Sequence, residues 1–499
     1  MKKYVRFVSL LLRNSFFLIT VGSVASSPAH AVLPEPIAKA LRAKGILTAG
    51  ISTAGISTAG ISTAGKSGTS ISIIAQSLSG EAPIIAHQIE LPLNPASVMK
   101  LVTTWSALNI LGPDYRWQTS AFLQGKLVGD ILNGDLVLKG GGDPKLVIED
   151  LTEWLGAMRR SGLRDIKGDL IIDESFFENI GPSMESFDAD TGQPYNVRPH
   201  PMMLNFKSTK FTVAAQGTVA SVLLDPPLSG VQIDNQIKIV SGPCRHGANG
   251  LTVSDVGPIS VRLSGLYSAS CGEQSTYAAV LDHRAFIFAL FKSTWQSLGG
   301  TISGTYKSGL SPSGEWSVWR SPRTLADITK DINKFSNNVM TRHLLLQMGV
   351  ETSKANLKTS ASIERGRTNV QRLLKSQGLD LPELILENGS GLSRLERVSA
   401  RSLAKLLIAA ADSPLADVYR NSLPIVGVDG TMSRRLPNSG VVGNAWIKTG
   451  SINQVSAIAG YVQSKSGRRY AIAMLANGAG ANAMHSVQDQ LLLWVYENG

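Results

Sequence analysis

Residues 94–105 read NPASVMKLVTTW, with Ser97 three positions before Lys100 at the head of an apolar run. Val98, Met99, Leu101, Val102, Trp105, Leu108 and Leu111 cover most of a helical surface. The spacing therefore predicts a helix buried nearly all round, ended by Gly112-Pro113. An ammonium group on such a helix is expensive to bury, and no acidic residue lies nearby in sequence to pair with it. Lys100 must find its partners elsewhere in the chain.

The chain opens MKKYVRFVSLLLRNSFFLITVGSVASSPAHA, a basic head, an apolar run and a small-x-small site at Ala29–Ala31. This layout predicts a secretory signal peptide over 1–31 cleaved after Ala31, with an uncleaved anchor as the alternative, and places the mature protein in the periplasm. Cleavage removes four basic residues and no acidic ones, lowering the formal charge from +11 to +7. That balance leaves open contact with a membrane surface or an anionic polymer. The positive charges are dispersed, with no Lys/Arg run or aromatic interleaving, which argues against nucleic-acid binding. The two cysteines, Cys244 and Cys271, form one disulfide in an oxidising compartment or remain two buried thiols. Seven scattered histidines give no metal-ligand spacing, so neither a metal nor a cofactor is expected.

Residues 46–65 repeat ILTAG and ISTAG, a period matching neither helix nor strand, and read as a spacer within 32–66. Residues 69–89 alternate and turn like a hairpin near Gly80-Glu81. From 114 to 317 short alternating runs are punctuated by Gly, Asn and Asp, which is antiparallel grammar, and 208–287 reads as nearly pure β. "KGGGDP" (139–144) lacks the Lys-Ser/Thr of a phosphate loop and reads as a turn. Helical texture returns over 324–349 and 399–412. The C-terminus reads strand–turn–strand–helix, with Met484, Val487, Leu491 and Val495 on one core-facing stripe.

Three short stretches line up with the opening one: Ser97-Val98-Met99-Lys100, Ser336-Asn337-Asn338 at a helix entry, and Lys448-Thr449-Gly450 on an edge-like strand. Singly each is weak; in this order and context they are the motifs of penicillin-recognising serine acyl-transferases. A serine hydroxyl needs a base to take its proton, and a lysine serves only as the neutral amine. Its pKa must fall from ~10.4 toward neutrality, about 4 kcal/mol for three units. Burial and a second ammonium, Lys448, would bring that about. Ser336 is then a proton relay to the leaving amine, and Asn338 holds Lys100 and a substrate amide. Lys448 and Thr449 bind a carboxylate, and Gly450 admits the substrate backbone. The N–H groups of Ser97 and Ser451 form an oxyanion hole.

The chain resembles the D-alanyl-D-alanine carboxypeptidase/endopeptidase family, the class C low-molecular-mass penicillin-binding proteins. Ser97 and Ser336 are 239 residues apart, as in a family that nests β domains between the two motifs. "GGGDP" (140–144), "NGSGLSR" (388–394) and "LPIVGVDGTMSRR" (423–435) add to the resemblance, which covers 67–499. It implies an α+β, penicillin-binding-protein/β-lactamase-like core, an antiparallel sheet packed with helices. That core comprises 67–112 and 318–499, interrupted by a domain over 113–207 and 288–317 that carries a nested β domain over 208–287. It implies peptidoglycan stem peptides as substrate and β-lactams as covalent inhibitors. An acidic residue of the insert, Asp190 or Asp188, would contact the substrate's free amine. Where the family usually has Asp-Gly-Ser-Gly this chain has Asn388-Gly389-Ser390-Gly391. The rival readings are a β-lactamase or esterase of the same fold, against which no glutamate follows the helix in the compact-enzyme manner, and a silent wall-binding scaffold, against which all three motifs are intact.

Overall fold

The computed structural model describes residues 33–46, 68–178, 187–188, 190–350 and 360–499. The expected signal peptide and all of the ISTAG repeat beyond Ile46 lie outside them. Among the described residues no helix is long and apolar enough to cross a membrane.

The sheet behind the Ser97–Lys100 helix has five antiparallel strands in the order Ala445–Ile452, Val455–Gln463, Arg469–Asn477, Ser70–Ser77, Ile85–His87. The first strand of the domain thus pairs with its last, Ser70–Ser77 in register against Arg469–Asn477. Side chains alternate across a strand, so one sheet serves two cores. Ala457, Ala459, Tyr461, Ala471 and Ala473 face a helical layer containing Lys100–Leu111, Asn338–Gln347, Ile363–Ser376 and Ala400–Ala411. Ile458, Val462, Ile472 and Met474 face the opposite layer, where Val487, Leu491 and Val495 of the last helix pack. Both faces are covered, which is why the central strands are apolar in nearly every position. The helix Glu35–Ala43 joins this second layer through Ile37, Ala38 and Leu41. The sequence reading assigned no helix before the 46–65 spacer, although Ile37 and Leu41 stand four apart, on one helical face.

The expected hairpin and the buried helix are both present. Ala96–Met99 form a 3-10 turn, Lys100–Leu111 the α-helix, with every residue from Lys100 to Leu108 buried, and Gly112 at φ +87° ends it.

The insert departs from purely antiparallel grammar. Gln118–Val128 and Ile131–Gly140 form a long antiparallel hairpin. Leu170–Asp173 instead runs parallel to Ile131–Gly140, after a crossover helix Ile148–Arg160. Glycine-rich punctuation suits either pairing, so it could not separate them. Two three-stranded sheets follow, centred on Thr209–Gln216 and on Ser260–Ser268, and one apolar core continues through both into the larger sheet. Two expected boundaries cut elements. Residue 287 lies within the helix His283–Ser297, capped by Asp282 Oδ1 on the Ala285 N–H at 2.8 Å. Residue 317 begins a strand, Ser317–Arg320, paired with Gln118–Val128.

Cys244 and Cys271 are bridged in the structure, 27 residues apart with Cα atoms 4.7 Å from one another. Replacing both with serine should lower unfolding stability of the insert by about 3 kcal/mol through the closed loop and leave peptidase activity intact. Calorimetry with and without the substitutions checks this; an equal loss of activity would contradict it.

Candidate active site

The Ser97 turn is fixed from below. Asn94 Oδ1 accepts the Ala96 N–H at 2.8 Å, Asn94 Nδ2 donates to Ser393 O at 2.7 Å, and Asn477 brackets the Asn94 backbone at 2.8 and 2.9 Å. One turn later the Lys100 amine, fully buried, lies 2.9 Å from Ser97 Oγ, 2.7 Å from Asn338 Oδ1, and against Ser390 O. A neutral amine has two N–H donors and one lone pair. Two of its three neighbours are carbonyl oxygens, which only accept, so the lone pair falls to the Ser97 hydroxyl.

Ser336 caps the helix Leu325–Phe335 in the left-handed region, φ +58°, and Asn337 caps the next helix by accepting the Met340 N–H at 3.0 Å. This break between two helices puts Asn338 at the start of the second, facing Lys100. Ser336 Oγ accepts from the Lys448 amine at 3.0 Å, and Lys448 also donates to Thr449 O at 2.8 Å. No hydrogen bond joins Ser336 to Lys100; Lys448 is its partner.

Lys448 is as deeply buried as Lys100. Burial brings its amine down to about 7. Burial also holds Lys100 well below the ordinary amine range, and Lys448 pushes it lower by like-charge repulsion. Arg342, one helical turn after Asn338 and fully buried, acts in the same sense, whereas Glu396 opposes.

Lys448 lies on the edge strand Ala445–Ile452, as expected. The strand passes so close to the Ser97 turn that a Cβ on Gly450 would lie 2.5 Å from Pro95 O and 3.0 Å from Ser97 N. Only glycine fits this crossing. Ser451 follows, exposed, and Thr449 Oγ1 pairs with Thr431 Oγ1 at 2.8 Å.

A profile of the D-Ala-D-Ala carboxypeptidase 3 (S13) family matches residues 59–498. The chain belongs to that family. It is 29% identical over 429 residues to the D-alanyl-D-alanine carboxypeptidase of an Actinomadura species, covering 81% of this chain and 77% of the relative. It is 24% identical to the D-alanyl-D-alanine carboxypeptidase DacB of Haemophilus influenzae over 86% of this chain and 90% of that protein. The crystal structure of penicillin binding protein 4 from Haemophilus influenzae has the same fold, with TM-score 0.73, 23% identity, and coverage of 86% and 97%. The chain is thus a serine D-Ala-D-Ala carboxypeptidase, a hydrolase of the penicillin-binding-protein fold with inserted domains.

In this S13 enzyme the stretch "LPIVGVDGTMSRR" has a structural task. Asp429 clamps Lys334 at 2.8 and 2.6 Å, two residues before Ser336, and accepts the Ile425 N–H at 2.8 Å. The stretch thereby ties the Ser336 break to Thr431 and Thr449, tasks the sequence reading did not assign. Asp188 accepts from Tyr195 Oη at 2.8 Å and from Asn196. Asp190 is exposed and accepts the Gly192 N–H at 3.2 Å and Gln193 Nε2 at 3.0 Å. Next to Asp188, the Phe187 ring lies 4.7 Å under the Arg394 guanidinium of the NGSGLSR stretch. Asn388 departs from the usual aspartate for a local reason. Its Oδ1 accepts from Ser390 N and Oγ at 2.9 and 2.7 Å, and its Nδ2 donates to Leu392 O at 3.0 Å, a bond a carboxylate cannot make.

Gly450→Ala should push the edge strand off the Ser97 turn and lower kcat/KM on a D-alanyl-D-alanine-terminated peptide about a hundredfold, the scale of a ~1 Å misplacement. Steady-state kinetics on folded variant checks this; near-normal turnover would contradict the close crossing.

Proposed function

We propose that Ser97 is the acyl-enzyme nucleophile of a DD-peptidase that trims peptidoglycan stem peptides in the periplasm, after export by a leader cleaved behind Ala31. The observation that carries the reading is the buried Lys100 amine with two carbonyl acceptors and the Ser97 hydroxyl as its neighbours. Ser97 Oγ gives its proton to the Lys100 lone pair and bonds to the carbonyl carbon of the penultimate D-alanine. The oxyanion is held by the N–H groups of Ser97 and Ser451, each worth about 3 kcal/mol. The C–N bond breaks as the proton held by Lys100 passes to the leaving amine by way of Ser336 Oγ, polarised by Lys448, which returns Lys100 to the neutral amine. Water then attacks the ester and regenerates Ser97.

Asn338 orients Lys100 and the substrate amide. Thr449, next to Thr431, meets the terminal carboxylate with the Lys448 charge behind it. Lys448 is too deeply buried to be a surface ligand, so it acts on that carboxylate through the field and through Ser336. A leaving terminal D-alanine gives carboxypeptidase activity; a cross-linked diamino acid gives endopeptidase activity. Asp190, or Asp188 beside it, would meet that residue's free amine. β-Lactams would acylate Ser97 by the same step and be released slowly.

Ser97→Ala should abolish covalent labelling by a fluorescent penicillin while the protein stays folded; stoichiometric labelling of the variant would sink the assignment. Lys100→Arg should lose acylation nearly as fully as Lys100→Ala, because a guanidinium stays protonated; retention of a tenth or more of the wild-type second-order rate would exclude Lys100 as the base.

The neutral amine sets the pH dependence. Acylation should fall with acid as Lys100, held well below the ordinary amine range by burial and by the Lys448 charge, takes up its proton. Lys448→Ala removes a like charge, so Lys100 holds its proton to higher pH and the ascending limb of residual acylation should move upward. A limb that stays in place or moves to lower pH would contradict the coupling.

A further inference from the structure

Ser390 O is one of the two acceptors that orient the Lys100 amine, so whatever fixes residues 387–390 fixes the base. Ser390 lies in a turn of small residues. Gly389 at φ +75° packs so that a Cβ would lie 2.8 Å from Thr103 Oγ1, and Gly391 at φ +81° crosses against Ala96 O. Thr103 Oγ1 donates to Gly389 O at 2.7 Å. Such a turn leaves several N–H groups pointing to one side. All three from Glu387 to Gly389 converge on a single carboxylate oxygen, Glu396 Oε1, at 3.2, 3.0 and 2.7 Å.

Glu396 is fully buried, and among the described residues no other carboxylate is as deeply enclosed. Its second oxygen, Oε2, is buried without a hydrogen-bond partner, and so are two nitrogens of Arg342. The site therefore encloses three fully buried basic side chains, Lys100, Arg342 and Lys448, and this one carboxylate.

We propose that Glu396 is a positioning residue for catalysis: it gathers the 387–389 N–H groups so that Ser390 O meets the Lys100 amine, and it is the buried carboxylate set against the Arg342 charge and the Lys100 amine. The proposal rests on Lys100 being the base. The groups facing Lys100 are Lys448 from the edge strand, Arg342 from the Asn338–Gln347 helix and Glu396 from the loop; those facing Glu396 include Glu387 as well. Of the three facing Lys100, only Glu396 favours the charged amine.

The two roles separate by substitution. Glu396→Gln keeps an acceptor oxygen for the three N–H groups and removes the charge; Glu396→Ala removes both. Second-order acylation by a fluorescent penicillin, measured from pH 5 to 10 for wild type and both variants, is the test, with thermal melts to select folded protein. Glu396→Gln should retain the plateau rate within about threefold and shift the ascending limb to lower pH, since Lys100 loses the anion that favours its proton. Glu396→Ala should lose tenfold or more at the plateau. A limb unmoved in Glu396→Gln, or shifted upward, would overturn the counter-charge role. A plateau in folded Glu396→Ala equal to wild type would overturn the positioning role. Failure of wild type itself to acylate would instead count against the proposed function.

Discussion

The arrangement turns on one amine having the right number of neighbours. Lys100 meets two carbonyl oxygens and one hydroxyl. Two carbonyls consume two N–H donors, and the remaining position on a neutral amine is a lone pair aimed at Ser97 Oγ. A protonated amine would fill the same three positions with donors and leave no base. Under the proposed mechanism the reactivity of Ser97 depends on keeping Lys100 neutral.

The fold supplies that condition through burial and charge. Sheet and helices enclose Lys100 and Lys448 completely, and neither can be protonated there without desolvation. Each also raises the cost of charging the other. Pairing the first strand of the domain with its last closes the sheet, and the edge strand then carries Lys448 across the end of the Ser97 turn. Gly450 sets how closely strand and turn approach. Asn94 and Asn477 lock the turn to the sheet, while Asp429 and Lys334 lock the Ser336 break to the edge strand's neighbourhood. The inserted domains have a core of their own, and Phe187 packs under Arg394 of the catalytic core.

Much of this was legible in the sequence because the motif residues are few and their contexts distinctive. A lysine on a helix apolar all round announces a perturbed amine, and the Ser-x-Asn and Lys-Thr-Gly stretches announce its partners. The hairpin, the edge strand and the C-terminal stripe followed from periodicity. What stayed hidden depends on contacts between distant segments. Glu396 sits in "SRLERVSA" with nothing local to mark it, since its three N–H partners come from a turn whose shape appears only when Gly391 packs under Ala96. Arg342 reads as an ordinary helix cation until the helix is docked. Parallel pairing in the insert was likewise invisible, because a crossover helix of thirteen residues and a turn can follow the same glycine-punctuated strand.

The central claim is that Lys100 is held neutral near physiological pH, and direct titration of that amine tests it without relying on turnover. Lysine labelled with 13C at Cε reports the charge of each amine by NMR, and Lys100 is assigned as the resonance lost in Lys100→Arg. The account predicts a Lys100 midpoint far below the ordinary amine value of ~10.4, coupled to a Lys448 resonance titrating at about 7. A Lys100 midpoint near the ordinary value, in protein that still acylates at neutral pH, would contradict it.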